Sequence, residues 1–328
     1  MTDSTRDQGA LLADDAQVRV ATEVSRGGTF ALRGWLRLAP WVAPRRKTLL
    51  ITPASTSGEA VRPTRLLVLL HGCRQNAADF ARAAGVHEFV AEHHWAVLLP
   101  DQSRMANMYR CWNWFDKRVM RGGGEVAIVA KATEKARRML GIEAAQTAIA
   151  GMSSGAALAA AVCAHHPARY RLALFHSGLA YGASAKPSSA MQAISSGPQR
   201  DVSLLVKPDS GSYAAVVIHG VDDAVVNPLH ADELMRQAMV QSGHLPPGSA
   251  LGAPDSTVER TIDGRRTTIR RWARHRQIMI QGLDHAWVSS NANDAPFFSS
   301  KGSDTLGLLQ VFFEQANATG AASVEPAI

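Results

Sequence analysis

Along this chain, short runs that are apolar almost throughout alternate with longer stretches where apolar residues recur every three or four positions. The short runs are Thr48–Ile51, Arg65–Leu70, Trp95–Leu99 (closed by Pro100), Ala145–Ala150, Tyr170–Phe175, Ala214–Ile218 and Gln277–Ile280. Runs of that kind are expected of strands buried on both faces of a parallel sheet. The helical periods cover Ala77–His93, Val126–Leu140, the Ala-rich Ala156–Ala164, Leu229–Gln241 and Leu306–Gln315. Strands alternating with helices predict an α/β fold: a mostly parallel central sheet with helices on both faces. Before it, Val18, Val20, Thr22 and Val24 alternate, Arg26-Gly27-Gly28 makes a turn, and Phe30, Leu32 and Leu36 resume, predicting an N-terminal hairpin. Trp35, Leu38, Trp41 and Val42 form a local apolar cluster, interrupted by Pro40 and Pro44 and read as packing on the domain.

The expected organisation is a polar, mobile segment over 1–16, one domain over 17–316 and a tail of small residues over 317–328. Pro53 to Pro63 reads as a loop, and Gly182 to Ser212, rich in Ser, Pro and Gly, as a surface excursion near the mouth of the site.

Composition changes this picture little. The 328 residues, 46% hydrophobic and 19% charged, suffice for a large core, and no run of 18 apolar residues could span a membrane. The net charge of +7 raises nucleic acid as a partner. Its arginines concentrate at Arg45-Arg46-Lys47 and from Arg260 to Arg276, the core of the second stretch carrying one aromatic, Trp272, and no binding motif. A solvated strand pair at a sheet edge, where charge discourages edge-to-edge pairing, accounts for them, and nucleic acid is not expected. Cys73, Cys111 and Cys163 are too few for a disulfide scaffold and lack metal-ligand spacing; Cys163, in the Ala-rich helix, reads as a core residue. The first 28 residues carry Asp3, Asp7, Asp14, Asp15 and Glu23 and no apolar stretch of the secretory kind. The expected location is therefore cytoplasmic, with a secreted or periplasmic one as the alternative.

Candidate chemistry gathers just after the strands. Gly151-Met152-Ser153-Ser154-Gly155 joins an apolar run to the Ala-rich helix, which places Ser153 on a sharp strand-to-helix turn with its hydroxyl above the sheet. Any Cβ at the flanking glycines would collide with the neighbouring strand and helix. A serine nucleophile needs an imidazole to take its proton and a carboxylate to orient that imidazole. Among twelve histidines, His285 lies downstream of the acid candidates and before the last helix. His165 and His166 suit a helix C-terminus, and His219 falls one strand too early. Asp222 and Asp223 follow the Ala214–Ile218 run, and the spacing does not separate them. Asp284 is adjacent to His285 and is disfavoured, since neighbouring side chains tend to point apart. The order Ser, Asp, His is that of an α/β-hydrolase triad. The two oxyanion donors expected are the amides of Ser154, next to the nucleophile, and of Cys73, in the loop after Arg65–Leu70.

Five segments carry a resemblance: His71-Gly72-Cys73-Arg74-Gln75-Asn76, Pro100-Asp101-Gln102-Ser103, Cys111-Trp112-Asn113-Trp114-Phe115, Gly151 to Gly155, and Gly282-Leu283-Asp284-His285-Ala286-Trp287. From about Leu66 to Phe313 the chain resembles the poly(3-hydroxybutyrate) depolymerase-type esterases, α/β-hydrolases related to feruloyl and acetylxylan esterases. The family pattern His-Gly-x-x-Asp-x-x-Val falls on His219, Gly220, Asp223 and Val226, which implies Asp223 as the acid. The resemblance also implies a Cys73–Cys111 disulfide, with two free thiols as the alternative. It makes Trp112, Trp114 and Trp287 candidate walls of the substrate pocket, a role that core packing would replace.

The activity implied is a serine carboxylic-ester hydrolase working through an acyl-enzyme on poly- or oligo-3-hydroxybutyrate esters, with no cofactor and no metal. Feruloyl, acetylxylan or general short-chain esters are the runner-up substrates. The non-enzymatic alternative is a catalytically silent hydrolase fold used for binding. No Thr-rich linker or polymer-binding domain is visible, which favours soluble oligomers, amorphous granules or small esters over crystalline polymer. The oligomeric state is not readable.

Overall fold

The computed structural model describes residues 18–21, 46–53, 61–209, 211 and 213–318. The expected mobile segment, the return strand of the N-terminal hairpin, the Trp35 to Val42 cluster, most of the loop after Pro53 and nearly all of the tail lie outside the described residues.

In chain order the strands are β1 (Val18–Ala21), β2 (Thr48–Pro53), β3 (Arg65–Leu70), β4 (Trp95–Pro100), β5 (Thr147–Met152), β6 (Leu172–His176) and β7 (Ala214–Gly220). They continue with β8 (Ser256–Ile262), β9 (Arg265–Trp272) and β10 (His275–Ile280). The apolar runs from β3 to β7 become strands because each buries both faces. Among the described residues these form one ten-stranded sheet in the order β1-β2-β4-β3-β5-β6-β7-β10-β9-β8. The six central strands from β4 to β10 are parallel. The flanking pairings of β1 with β2, β2 with β4, β10 with β9, and β9 with β8 are antiparallel. The two-residue strands β11 (Trp287–Val288) and β12 (Phe298–Ser299) pair separately.

Strand alternation divides the core into two layers. Leu66, Val68, Leu70 and Ile149 face one side, where α3 (Gly124–Leu140), α4 (Ser154–His165) and α6 (Leu229–Gln241) cover them with Val129, Leu158 and Leu234. Leu67, Leu69, Ala148 and Ala150 face the other, under Phe80 of α1 (Ala77–Ala83), Phe89 of α2 (Val86–His93) and Phe313 of α7 (Thr305–Asn317). The fold is the expected α/β one.

Three local expectations need correction. The helix expected over Ala77–His93 is two helices, broken where Gly85 takes a φ of +71°. The Ser/Pro/Gly-rich excursion contains α5 (Pro187–Ser196), whose proline occupies the first turn, where its missing N–H costs nothing and its fixed φ suits a helix. The strand before Ser153 starts at Thr147 instead of Ala145, because Ala144–Gln146 form a 3-10 turn. The Arg-rich stretch does form the edge pair β8–β9, with Arg266 and Arg270 bonded to Gln281 and Gln277.

Candidate active site

Ser153 sits between β5 and α4 with φ +55° and ψ −122°, a conformation that costs a non-glycine residue about 1–3 kcal/mol. The surroundings fix it there. Its N–H donates to the His176 carbonyl at 2.9 Å, and its own carbonyl accepts from Ala157 at 3.0 Å. A Cβ on Gly155 would overlap the Leu70 and His71 carbonyls, and one on Gly151 would run into Gly155 itself. The two glycines thus let α4, β5 and the loop after β3 meet at one point. The first ten residues of α4 are all buried, so its alanines keep the helix close to the sheet.

The loops that carry Asp223 and His285 are stitched together at the ends of β7 and β10. Val221 N–H donates to the Ile280 carbonyl at 2.9 Å and Asp222 N–H to Leu283 at 3.3 Å, and a Cβ on Gly220 would collide with the Leu283 carbonyl. This brings together side chains far apart in sequence. His285 Nδ1 lies 2.8 Å from Asp223 Oδ2, and His285 Nε2 lies 2.9 Å from Ser153 Oγ. With Asp223 ionised, Nδ1 carries the proton it donates, leaving Nε2 to accept from the serine hydroxyl. Asp222 points elsewhere, its Oδ2 accepting from Gly282 N–H at 2.6 Å, and Asp284 is exposed.

Burial pushes the Asp223 carboxyl up. Hydrogen bonds from His219 and His285, the attraction of His285, and the Val226 amide outweigh burial and hold it well below the ordinary carboxylate range. Its Oδ1 also accepts from Val225 and Val226 N–H at 2.9 and 2.8 Å. His219, fully buried, places Nε2 3.4 Å from Asp223 Oδ2 and 3.0 Å from the Val226 carbonyl. The histidine set aside as one strand early therefore contacts the candidate acid. Its signal was its position four residues before Asp223.

Cys73 and Cys111 are joined by a disulfide. It ties the loop after β3 to the Trp-rich loop, and further bonds reinforce the tie. Trp112 Nε1–H donates to the His71 carbonyl at 3.0 Å, and Gly72 N–H donates to Gln75 Oε1 at 2.7 Å. The amides of Cys73 and Ser154 donate to no protein acceptor among the described residues. Beneath the loops, buried Glu125 accepts from Asn113 N–H at 2.6 Å and from the Gln102 side chain at 2.6 Å, with Arg46 at 3.3 Å. Sequence reasoning missed this hub; a glutamate in the first turn of a helix is too common to mark it.

The tryptophans divide. Trp112 and Trp287 are fully buried in the two core layers, Trp287 stacked on His176 at 5.2 Å, so neither forms an open pocket wall. Trp114 packs in a small cluster with Ala157, Leu179 and Val226, against the helix that begins at Ser154 and the loop that carries Asp223. His165 bonds the Tyr181 hydroxyl at 3.1 Å, away from the serine. Among the described residues no three His, Cys, Asp or Glu side chains are grouped to hold a metal ion, and no helix is long and apolar enough to cross a membrane.

Comparison with known proteins agrees with this architecture. A family profile described as "Esterase PHB depolymerase" matches residues 49–260. The poly(3-hydroxyalkanoate) depolymerase C of Paucimonas lemoignei is 26% identical over 181 residues, 52% of this chain and 44% of that protein. The match thus spans less than half of that relative. Among solved structures, an acetyl xylan esterase from Aspergillus awamori superposes with a TM-score of 0.60 at 17% identity, over 73% of this chain and 89% of the other. That likeness is one of fold.

Proposed function

The chain belongs to the PHB depolymerase esterase family, and on that footing we propose that it is a serine carboxylic-ester hydrolase acting through an acyl-enzyme on poly- or oligo-3-hydroxybutyrate esters. The observation that carries the proposal is the unbroken hydrogen-bond chain from Ser153 Oγ through His285 to Asp223. His285 Nε2 takes the serine proton as Oγ attacks the ester carbonyl. Asp223 holds the ring and stabilises the imidazolium that forms. The free amides of Cys73 and Ser154 receive the oxyanion, the step in which preorganised donors contribute most. His285 returns its proton to the leaving alcohol, then activates a water that releases the acid and frees Ser153.

The substrate part of the proposal rests on the family and on the 3-hydroxyalkanoate depolymerase relative. It is tested by rates on amorphous polyhydroxybutyrate, 3-hydroxybutyrate oligomers, methyl ferulate, acetylated xylan and p-nitrophenyl esters, with Ser153→Ala as the blank. The highest kcat/KM is expected on the hydroxybutyrate substrates. A clear preference for methyl ferulate or acetylated xylan would move the enzyme to the feruloyl or acetylxylan substrate class.

A further inference from the structure

Beside the proposed catalytic centre lies a groove of about 760 Å³, whose lining includes Arg74, Gln75, Phe80, Asn291, Pro296 and Phe297. Its size is that of a small-molecule site, about 300–1,000 Å³, and exceeds what an acetyl group needs. Two lining residues connect it to the chemistry. The position of a Cβ on Gly72 would be 3.1 Å from Gln75 Oε1 and 3.5 Å from Ser153 Cβ, so Gln75 and Ser153 flank the same glycine. The Phe297 ring centroid is 6.4 Å from that of His285, and this ring is over a third exposed. Phe80, Pro296 and Phe297 supply aromatic and proline surface to the groove.

The charge in the groove is uneven. Asp79 and Arg82 pair with each other at 3.4 Å and largely cancel. Arg74 has no carboxylate within ion-pair distance among the described residues; its guanidinium carbon lies 5.9 Å from the Tyr109 ring centroid. Its backbone is firmly held, with φ +63° and its N–H donating to the Tyr109 carbonyl at 2.7 Å, between the cysteines of the disulfide. The residue that follows the oxyanion donor Cys73 thus offers an uncompensated cation beside an apolar channel.

We propose that this groove receives the leaving-alcohol part of an oligoester and that Arg74 pairs with a free carboxylate at its end. The selectivity that results is for oligomers of hydroxy acids with an open acid terminus over neutral esters. The inference rests on the ester-hydrolase reading above. In the oligomer the open carboxylate belongs to the fragment released as alcohol. Ser153 Oγ adds to the acyl carbon, the bond to the alcohol oxygen breaks, and the departing alkoxide takes its proton from His285, so that a hydroxy acid leaves with its carboxylate unchanged before water releases the acyl group from Ser153. An arginine suits that end because its planar fork matches a carboxylate.

The test compares kcat/KM for a 3-hydroxybutyrate trimer as the free acid and as its methyl ester, in wild type, Arg74→Gln and Arg74→Lys. Wild type is expected to prefer the free acid, mainly through KM, and added salt to shrink the preference. Arg74→Gln should lower the free-acid to methyl-ester ratio by about three- to tenfold, and Arg74→Lys should restore part of it. No preference in wild type, or an equal change on both substrates in Arg74→Gln, overturns the proposal. If neither trimer is cleaved while Ser153 still reacts with a fluorophosphonate, this proposal fails and the hydrolase reading stands. If Ser153 does not react, both fail.

Discussion

At Asp223 burial and hydrogen bonding pull in opposite directions, and the bonds win: its two oxygens meet two backbone amides and two imidazoles. Its neighbour Asp222 spends its carboxylate on the Gly282 amide. Exchanging either acid for its amide therefore has unequal consequences. Asp223→Asn presents His285 with the wrong partner for its tautomer and should lower kcat on p-nitrophenyl butyrate by about 10³–10⁴-fold. Asp222→Asn should stay within about threefold of wild type. The reverse order of losses would remove Asp223 from the proposed triad. Spacing alone left the two aspartates unresolved, since both follow β7 and only the turn geometry decides which oxygen reaches the imidazole. Ser153 and His285 stood out as candidates because each follows closely on its own apolar run. The tryptophans were not, because rarity marks a residue without saying which way its ring faces. Trp112 and Trp287 face the core.

Between elements, the proposed site depends on loops held by cross-links that no periodicity predicts. The Cys73–Cys111 disulfide closes a sequence separation of 38 residues and lies next to the proposed oxyanion amide. A loop of that length contributes about 2–4 kcal/mol to stability, and such bonds persist in oxidising compartments. Its larger effect is expected on turnover. In Cys73→Ser/Cys111→Ser, kcat should fall by about 10–10³-fold through loss of one oriented donor. Fluorophosphonate labelling of Ser153, read by intact mass, should persist in the same protein. Unchanged kcat with the bond removed would show that the loop needs no tether. The strands and the long helices were readable because burial on two faces, or on one stripe, writes itself into hydropathy. The break at Gly85 and α5 were not: one depends on a single residue at positive φ, the other hides in a composition that also suits a loop.

For the whole molecule, sheet order lay beyond the sequence, since the apolar runs are nearly interchangeable in composition. The fold also buries histidines that resist protonation until well below their ordinary range. Burial, together with neighbouring charges, lowers His176 and His275 from 6.5 to about 3, and burial lowers His230 to about 4. The unfolded chain takes up protons on these rings below pH 6.5 while the native one does not. Stability is thus fullest above pH 6.5 and declines as pH falls towards the native values, by up to about 2 kcal/mol per histidine at pH 5. The depressed Asp223 adds to the decline only below its ordinary 3.8, as pH falls through its native value. Urea midpoints at pH 7.5 and 5.0 should differ markedly, and His275→Gln should narrow the gap; equal midpoints would mean that the rings are not neutral and buried as described. The central claim, that Ser153 is a nucleophile activated by His285, is tested most directly by fluorophosphonate labelling of wild type, Ser153→Ala and His285→Ala, followed by intact mass. One adduct on wild type, none on Ser153→Ala and labelling slowed by at least about 10³-fold in His285→Ala are predicted. Wild type that labels no faster than Ser153→Ala would contradict the account.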